Sequence, residues 1–481
     1  MLPSERPPAP MLRTALLILS GNAAASLLLL ARNLVVARLI PVADYGVAAT
    51  FAVAMAVVEM VSALGLQQQI VQAKEGDDPH FQAALQGFQV LRGAATGAIL
   101  FLLAGPMAAF LGIPEAVWAY QVLAVVPVLN ALQHFDVHRL NRQMIFGPLI
   151  LSKAAPAILS LVALWPLACW FGDWQVMLWS ILVQAATGAL ASHLVAKRPY
   201  RLLFDRTIMA QSFRFGWPLL VNGGLMFFVF QGDKLIIGRE LGMEALALFA
   251  MGMTLTLTPT LVIAGSVSDF FLPQLVAARS GSPGGSERFQ QLAMVVFQLH
   301  FLCGVVFVLG VLACGGPITA VLLGAKYEGI VPILFWLAIL QALRVFKGGP
   351  STVALARGKT ENAMLANLVR VGLLPLAWFF AVQTGAVWPV IGIALIGEAA
   401  GFCIALLLAQ RRVCLSLRPL LWSITSCLMC LVFGGLAAWN RSFPDSVPIS
   451  FTPLSIIVCL TGAALLSIWT MRDLRTYLSM P

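Results

Sequence analysis

The chain has 481 residues, of which 60% are hydrophobic and only 10% are charged, and its formal net charge is +10. A soluble domain of average composition carries about 25% charged residues, so this composition excludes an ordinary soluble protein and indicates a lipid environment. The positive charge does not indicate nucleic-acid binding, because most basic residues lie in short segments between apolar stretches.

Fourteen apolar stretches follow one another along the chain, each long enough to cross about 30 Å of hydrocarbon. Backbone groups in lipid must find their hydrogen bonds within the protein, so we expect every stretch to be a helix and the protein to be an all-α, polytopic membrane protein. The predicted spans are 12–36, 45–66, 83–105, 115–133, 147–171, 174–195, 213–237, 246–271, 290–314, 328–346, 362–383, 386–409, 419–438 and 453–471.

The segments between the predicted spans separate by charge. Twenty basic residues lie in the two tails and the even-numbered loops, counting Arg13 and Arg214 at the starts of the adjoining spans, whereas the odd-numbered loops hold only four. Those four are Arg38, Arg239, Lys326 and Arg441. By the positive-inside rule, this asymmetry predicts that both termini lie in the cytoplasm.

An internal repeat divides the chain into two parts. Residues 33–49 align without gaps to residues 234–250, an offset of 201 that matches Arg38 with Arg239. Both segments end the first helix of a six-helix set, so we predict two pseudo-symmetric lobes in the same orientation. The predicted parts are a tail at 1–11, an N-lobe at 12–196, a linker at 197–212, a C-lobe at 213–410, and two added helices with a tail at 411–481.

Six further basic side chains fall inside the predicted spans. Each costs about 2.5–3.5 kcal/mol near a bilayer centre on insertion scales, and such residues usually face a water-filled cavity. A cavity lined with positive charge suits an anionic cargo, although side chains near a span end could instead reach the membrane interface. The six are Arg32, Arg92, Lys153, Lys234, Arg344 and Arg370.

Several short motifs resemble a known family. They are RLIPVADYG at 38–46, GLQQQIVQ at 65–72, FGWPLLVN at 215–222, the Asp233–Lys234 pair and ARGKT at 356–360. With these motifs the chain resembles the Wzx-type polysaccharide flippases (polysaccharide transporter family) of the multidrug/oligosaccharidyl-lipid/polysaccharide (MOP) superfamily. The resemblance implies two six-helix lobes that move a polyprenyl-diphosphate-linked oligosaccharide from the cytoplasmic to the outer leaflet of a bacterial inner membrane. It also implies contact with membrane lipids and with polysaccharide polymerase or export proteins.

An arginine fork matches the oxygens of a phosphate in pairs, so we expect the deeper cations to bind the diphosphate. The predicted substrate-binding residues are Arg92, Lys153, Arg344 and Arg370.

Arg32 and Lys234 lie near the outer ends of their spans, and the repeat aligns Arg32 with Asp233. We hypothesise that Arg32 and Asp233 pair across the lobes as an outer gate. The alternative is that Asp233 only neutralises its neighbour Lys234.

Three further acids, Glu59, Asp269 and Glu398, lie inside predicted spans. A buried carboxylate could couple transport to protons, but it could also form a static ion pair with one of the cations. We favour the static pair for Glu398, and a static or interfacial role for Glu59 and Asp269, which lie closer to the cytoplasmic face.

Other functions remain as alternatives. A cation-coupled multidrug exporter of the same superfamily would favour an acidic cavity, whereas these spans hold six basic and four acidic groups. A lipid II flippase would use the same kind of basic cavity. A membrane glycosyltransferase or polymerase would need a sizeable outer loop and an acid or base there, which the short odd-numbered loops do not offer.

The sequence does not specify the sugar, whose contacts would be scattered polar groups such as Asn22, Asn130, Gln184 and Asn222. No cofactor or metal is predicted. Cys427 and Cys430 lie within an apolar helix, and the H-x-D-x-H spacing at 134–138 stands beside arginines, which favours a loop that faces lipid headgroups.

Overall fold

The computed structural model describes residues 9–61, 64–279, 285–359, 361–442 and 452–478. All regular structure in these residues is helical, which confirms the predicted all-α class. The α-helices are α1 (Ala9–Leu39), α2 (Val42–Ala56), α3 (Leu66–Gln72), α4 (Pro79–Leu111), α5 (Val117–Leu123), α6 (Val125–Ala131), α7 (Asp136–Arg142), α8 (Gly147–Val162), α9 (Leu164–Trp170), α10 (Gln175–Val195), α11 (Arg206–Glu240), α12 (Gly242–Arg279), α13 (Gly285–Leu323), α14 (Val331–Ala356), α15 (Glu361–Gly372), α16 (Leu374–Thr384), α17 (Val387–Val413), α18 (Leu421–Ser442) and α19 (Thr452–Leu478).

The chain is a multi-pass membrane protein. Within the described residues, 11 helical segments are long and apolar enough to cross a membrane, and the bent pair 114–131 and 136–142 would make 12. Helices α1 and α19, of 31 and 27 residues, are outside that count. The predicted number of fourteen spans therefore stays a prediction.

Several predicted spans are broken into two helices. Helix α5 ends where α6 begins, and the same occurs between α8 and α9 and between α15 and α16. A proline stands two or three residues after each break, at Pro127, Pro166 and Pro375. Because proline lacks the N–H that would bond back to the preceding turn, the helix bends there.

Helix α14 is longer than the sequence predicts. The predicted span ends at 346, before the triplet GGP at 348–350, but α14 continues past the triplet. A Cβ on Gly348 would lie 2.7 Å from the His300 ring of α13, so the glycines permit close helix packing instead of ending the helix. The prediction that Lys347 begins a loop is therefore wrong, and Lys347 is a buried residue of α14.

The chain divides into two compact units, Met1–Phe227 and Phe228–Pro481. The boundary falls inside α11, whose first part packs within the first unit. Cβ atoms on Gly216 and Gly223 would overlap the backbones of Leu64 and Met60, which shows how closely this part of α11 packs. The predicted lobe and linker boundaries stay predictions.

Candidate functional site

A polar cavity of about 390 Å³ lies in the first unit, among α3, α4, α6 and α10. We call it the first cavity. Two charged side chains, Glu59 and Arg92, line it. Its other polar lining is dominated by six amides, namely Gln67, Gln68, Gln89, Asn130, Gln133 and Gln184.

Close packing of α4 against α6 places Arg92 beside Asn130. A Cβ on Gly93 would overlap the Ala131 side chain and lie 2.8 Å from the Pro127 carbonyl oxygen. One turn further along α4, a Cβ on Gly97 would lie 2.7 Å from the carbonyl oxygen of Ala124, the residue before α6. Small residues four positions apart let two membrane helices approach closely, and here they bring polar side chains of both helices to one cavity.

The charges around the first cavity are mixed, with an excess of positive charge. Arg92 is half-buried, and Glu59 is exposed on a five-residue π-helical segment that follows α2. Arg32 of α1 donates a hydrogen bond to the Gln184 side-chain oxygen. Arg32 also interacts electrostatically with Glu59. The site thus combines two guanidinium groups with one carboxylate.

The amides can both donate and accept hydrogen bonds, as hydroxyl groups of a sugar require. Gln133 Nε2 donates to Asn130 Oδ1 at 3.3 Å, and Gln89 Nε2 lies 3.4 Å from the Asn130 carbonyl oxygen. These contacts fix the amide planes relative to one another on the cavity wall.

A second group of charged side chains lies buried in the second unit, and we call it the ion cluster. It consists of Asp233, Arg344, Lys347, Arg370 and Glu398. Glu398 Oε1 accepts a hydrogen bond from Arg344 Nε at 2.8 Å, and its Oε2 lies 2.5 Å from Lys347 Nζ. Arg370 Nη2 donates to Asp233 Oδ1 at 2.6 Å, and Arg370 Nε lies 3.8 Å from Glu398 Oε1.

Glycines position the ion cluster, as they position the first cavity. A Cβ on Gly397 would lie 2.9 Å from Cδ of Arg370, and one on Gly401 would lie 2.8 Å from the Ala366 carbonyl oxygen. Helices α15 and α17 therefore pack closely enough to set Arg370 next to Glu398.

Arg344 also ties α14 to α11. Its Nη2 donates to the Val229 carbonyl oxygen at 3.0 Å, and its guanidinium lies 5.0 Å from the centre of the Phe230 ring. Lys234 is half-buried on α11, and its positive charge is repelled by that of Arg344.

Both carboxylates of the ion cluster contact cations, so the cluster links α11, α14, α15 and α17 through ion pairs. Removing one partner of a buried pair leaves a buried charge without compensation, which typically costs about 3–5 kcal/mol. These contacts favour the static ion pair for Glu398 over the proton carrier.

The structure does not bring all the predicted site residues together. Lys153 is exposed on α8 and is not among the residues that line the first cavity, and Asp269 is exposed on α12. Arg32 and Asp233 each have the contacts described above within their own unit, so the predicted gate stays a prediction.

Sequence reasoning missed two parts of the site. Lys347 follows the predicted end of its span at 346 and was therefore expected in a loop. Gln67, Gln68, Gln89 and Gln133 of the first cavity were not assigned a role, although the first three stand in stretches rich in glutamine. Asn130 and Gln184 were named among the polar candidates and do line the cavity, whereas Asn222 does not. The Asn22 side chain lies outside the described residues.

Comparisons with known proteins agree with this architecture. Residues 35–332 match the family model described as "Polysaccharide biosynthesis protein". The chain is 23% identical over 391 residues to the teichuronic acid biosynthesis protein TuaB of Bacillus subtilis (strain 168), covering 80% of this chain and 79% of that protein.

Two solved structures share the fold. One is the lipid II flippase MurJ in an inward closed conformation, with a TM-score of 0.68 and 14% identity over 95% of this chain and 99% of that one. The other is a multidrug resistance MATE family transporter of the MOP superfamily in an inward-facing conformation, with a TM-score of 0.63 and 15% identity over 80% of this chain and 96% of that one. These likenesses confirm the fold that the sequence motifs predict.

Proposed function

The chain belongs to the family of polysaccharide biosynthesis proteins, and on this premise we propose that it is a flippase for polyprenyl-diphosphate-linked oligosaccharides. It moves a precursor of lipopolysaccharide O-antigen, exopolysaccharide or capsule from the cytoplasmic to the outer leaflet of a bacterial inner membrane. Transport proceeds by alternating access, and both termini lie in the cytoplasm.

The first cavity is the observation that supports this proposal most directly. Its volume of about 390 Å³ lies in the range of small-molecule sites, about 300–1,000 Å³. Six amides can exchange hydrogen bonds with sugar hydroxyls, and the Arg92 guanidinium can bind phosphate oxygens in pairs. A polar wall of this kind, in a chain that is 60% hydrophobic, suits a cargo with a sugar headgroup.

The charge balance favours an anionic cargo over an organic cation. Two arginines, Arg92 on the wall and Arg32 hydrogen-bonded to Gln184, are set against the single carboxylate of Glu59. A cation exporter would need the opposite balance, because guanidinium groups repel a positive ligand.

The ion cluster has a supporting role in this account. Its ion pairs hold α11, α14, α15 and α17 together, and its members Arg344 and Arg370 are paired with the carboxylates of Glu398 and Asp233. Of the four cations predicted to bind the diphosphate, Arg92 is the one that lines the first cavity, and we assign it to that task.

A flipping assay tests the proposal. The full chain is reconstituted in vesicles that carry a fluorescent polyprenyl-diphosphate oligosaccharide, and the fraction of label accessible to an external quencher is followed over time. We expect the protein to accelerate the exchange of label between the leaflets. Exchange no faster than in protein-free vesicles, together with uptake of a fluorescent organic cation, would replace the proposal with a drug exporter.

A further inference from the structure

A second cavity, of about 210 Å³, lies in the first unit between the start of α4 and the segment 196–205 that joins α10 to α11. We call it the second cavity. Its polar lining consists of Gln82, Gln86, His134, Arg198 and Arg201. Among the described residues that line it, two are arginines and none is acidic.

Arg198 is held in place on the wall of the second cavity. Its Nη1 donates to Gln82 Oε1 at 3.0 Å, and its Nη2 donates to the Asp77 carbonyl oxygen at 2.9 Å. These two bonds use part of a guanidinium that has five N–H donors. The side chain is thus already oriented before a ligand arrives, which reduces the entropy lost on binding.

His134 adds a further donor. The backbone N–H of Asp136 donates to His134 Nδ1 at 3.1 Å, so in the neutral ring the proton lies on Nε2. That Nε2 is buried and has no hydrogen-bond partner among the described residues. The nearby Tyr200 ring packs 5.5 Å from the imidazole, and burial raises the pKa of its phenol, so it brings no negative charge.

Two carboxylates near this segment contact the side chains of other arginines, and Asp136 Oδ2 also accepts the backbone N–H of Arg198 at 3.2 Å. Asp77 Oδ2 lies 3.4 Å from Arg142 Nε, and Asp136 Oδ1 accepts a hydrogen bond from Arg139 Nε at 2.6 Å. Asp136 Oδ2 also accepts the backbone N–H of Lys197 at 2.7 Å. These two carboxylates therefore do not form ion pairs with the guanidinium groups of Arg198 and Arg201.

The two cavities are neighbours along the same chain segments. Gln89 lines the first cavity and Gln86 the second, one turn apart on α4. Gln133 lines the first cavity and the adjacent His134 the second. The second cavity is therefore lined by residues next to the amides that line the first.

We propose that the second cavity is a binding site for a phosphate or diphosphate group. It offers two guanidinium groups and a neutral N–H donor, and this donor set matches phosphate oxygens. We assign the bound group to the lipid-linked cargo, whose diphosphate the cavity holds at the membrane surface before transport. This assignment rests on the proposed function. Free cytoplasmic phosphates have the same chemistry and are the other source.

Calorimetric titration of the detergent-solubilised full chain with inorganic pyrophosphate tests the site. Arg201 is exposed, so Arg201→Glu reverses its charge with little risk to folding. Lys197→Glu is the matched control, because Lys197 is exposed in the same segment but does not line the cavity. We expect the wild type and Lys197→Glu to bind equally and Arg201→Glu to bind about 10-fold more weakly or worse. Equal binding by all three proteins, or no binding by the wild type, would overturn the site.

A second arm separates the two sources. Sugar-free polyprenyl diphosphate is incorporated in nanodiscs with the protein, and retained lipid is counted by native mass spectrometry. Retention that falls in Arg201→Glu but not in Lys197→Glu supports the lipid headgroup. Pyrophosphate binding without such a fall supports the phosphate site and overturns its assignment to the lipid.

These outcomes are independent of the flipping assay. If the wild type fails to flip the labelled lipid but binds pyrophosphate through Arg201, the proposed function fails and the phosphate site stands. If flipping occurs and the pyrophosphate titrations are identical, the phosphate site fails and the proposed function stands.

Discussion

Arg370 and Asp233 form a buried ion pair in the second unit, although 137 positions separate them in the chain. Arg370 Nη2 lies 2.6 Å from Asp233 Oδ1, and the two residues are 0% and 3% exposed. The pair ties α15 to α11, and Glu398 on α17 lies on the other side of the same guanidinium. Asp233 is the close partner of Arg370, whereas Glu398 has shorter contacts to Arg344 and Lys347.

Replacing Arg370 by methionine should lower the free energy of unfolding by about 3–5 kcal/mol, because Asp233 would stay buried without its partner. Denaturant unfolding in detergent micelles measures the change. Adding Asp233→Leu to Arg370→Met removes the orphaned charge and should restore part of the loss. A double variant less stable than the single one would contradict this account of the pair.

Glu398→Gln should destabilise the protein far more than Glu361→Gln. Glu398 is 0% exposed and contacts several cations, so its loss leaves them buried together, at a cost of about 3–5 kcal/mol. The Glu361 side chain is 74% exposed and lies 3.4 Å from Arg412, and such surface pairs contribute about 0–1 kcal/mol. The same unfolding measurement compares the two variants, and equal losses would show that the ion cluster does not support the fold.

Gly93→Ala should destabilise the first unit by about 1–3 kcal/mol, because the added methyl group would overlap Ala131 where α4 and α6 touch. Gly105→Ala in the same helix is the matched control, since a Cβ there meets nothing within 4 Å in the described residues. The control should be neutral or slightly more stable, as alanine favours helix over glycine. Thermal unfolding of both variants tests the prediction, which fails if Gly93→Ala is as stable as its control.

The sequence allowed much of this architecture to be predicted. Apolar stretches of sufficient length predict membrane helices whatever their packing, and the motifs at 38–46 and 215–222 predicted the superfamily. The charges inside spans also predicted that Glu398 would pair with one of the basic residues, because isolated charges are not left in lipid.

Other parts depend on packing that the sequence does not display. GGP at 348–350 has the local signature of a helix end, and only the close approach of α13 shows that α14 continues through it. The predicted span ended at 346, so the sequence placed Lys347 in a loop instead of in the site. Similarly, Lys153 lies nearly two turns inside its predicted span, as a cavity residue would. Its exposure depends on how α8 is rotated, which the sequence does not display.

The measurement that tests the central claim most directly compares Arg92→Gln with Lys153→Gln in the flipping assay. Both variants remove one positive charge from a predicted span, but only Arg92 lines the first cavity. Losing a charged hydrogen bond to the cargo, worth about 1.5–3 kcal/mol, should slow flipping at least about 10-fold in Arg92→Gln. Lys153→Gln, a change at an exposed position, should stay within about twofold of the wild type.

Unfolding curves of the two variants provide the control for folding. With both variants folded, slow flipping by Arg92→Gln and normal flipping by Lys153→Gln is the result that this account predicts. Wild-type flipping by Arg92→Gln, or an equal loss in Lys153→Gln, would contradict the assignment of the first cavity as the cargo site.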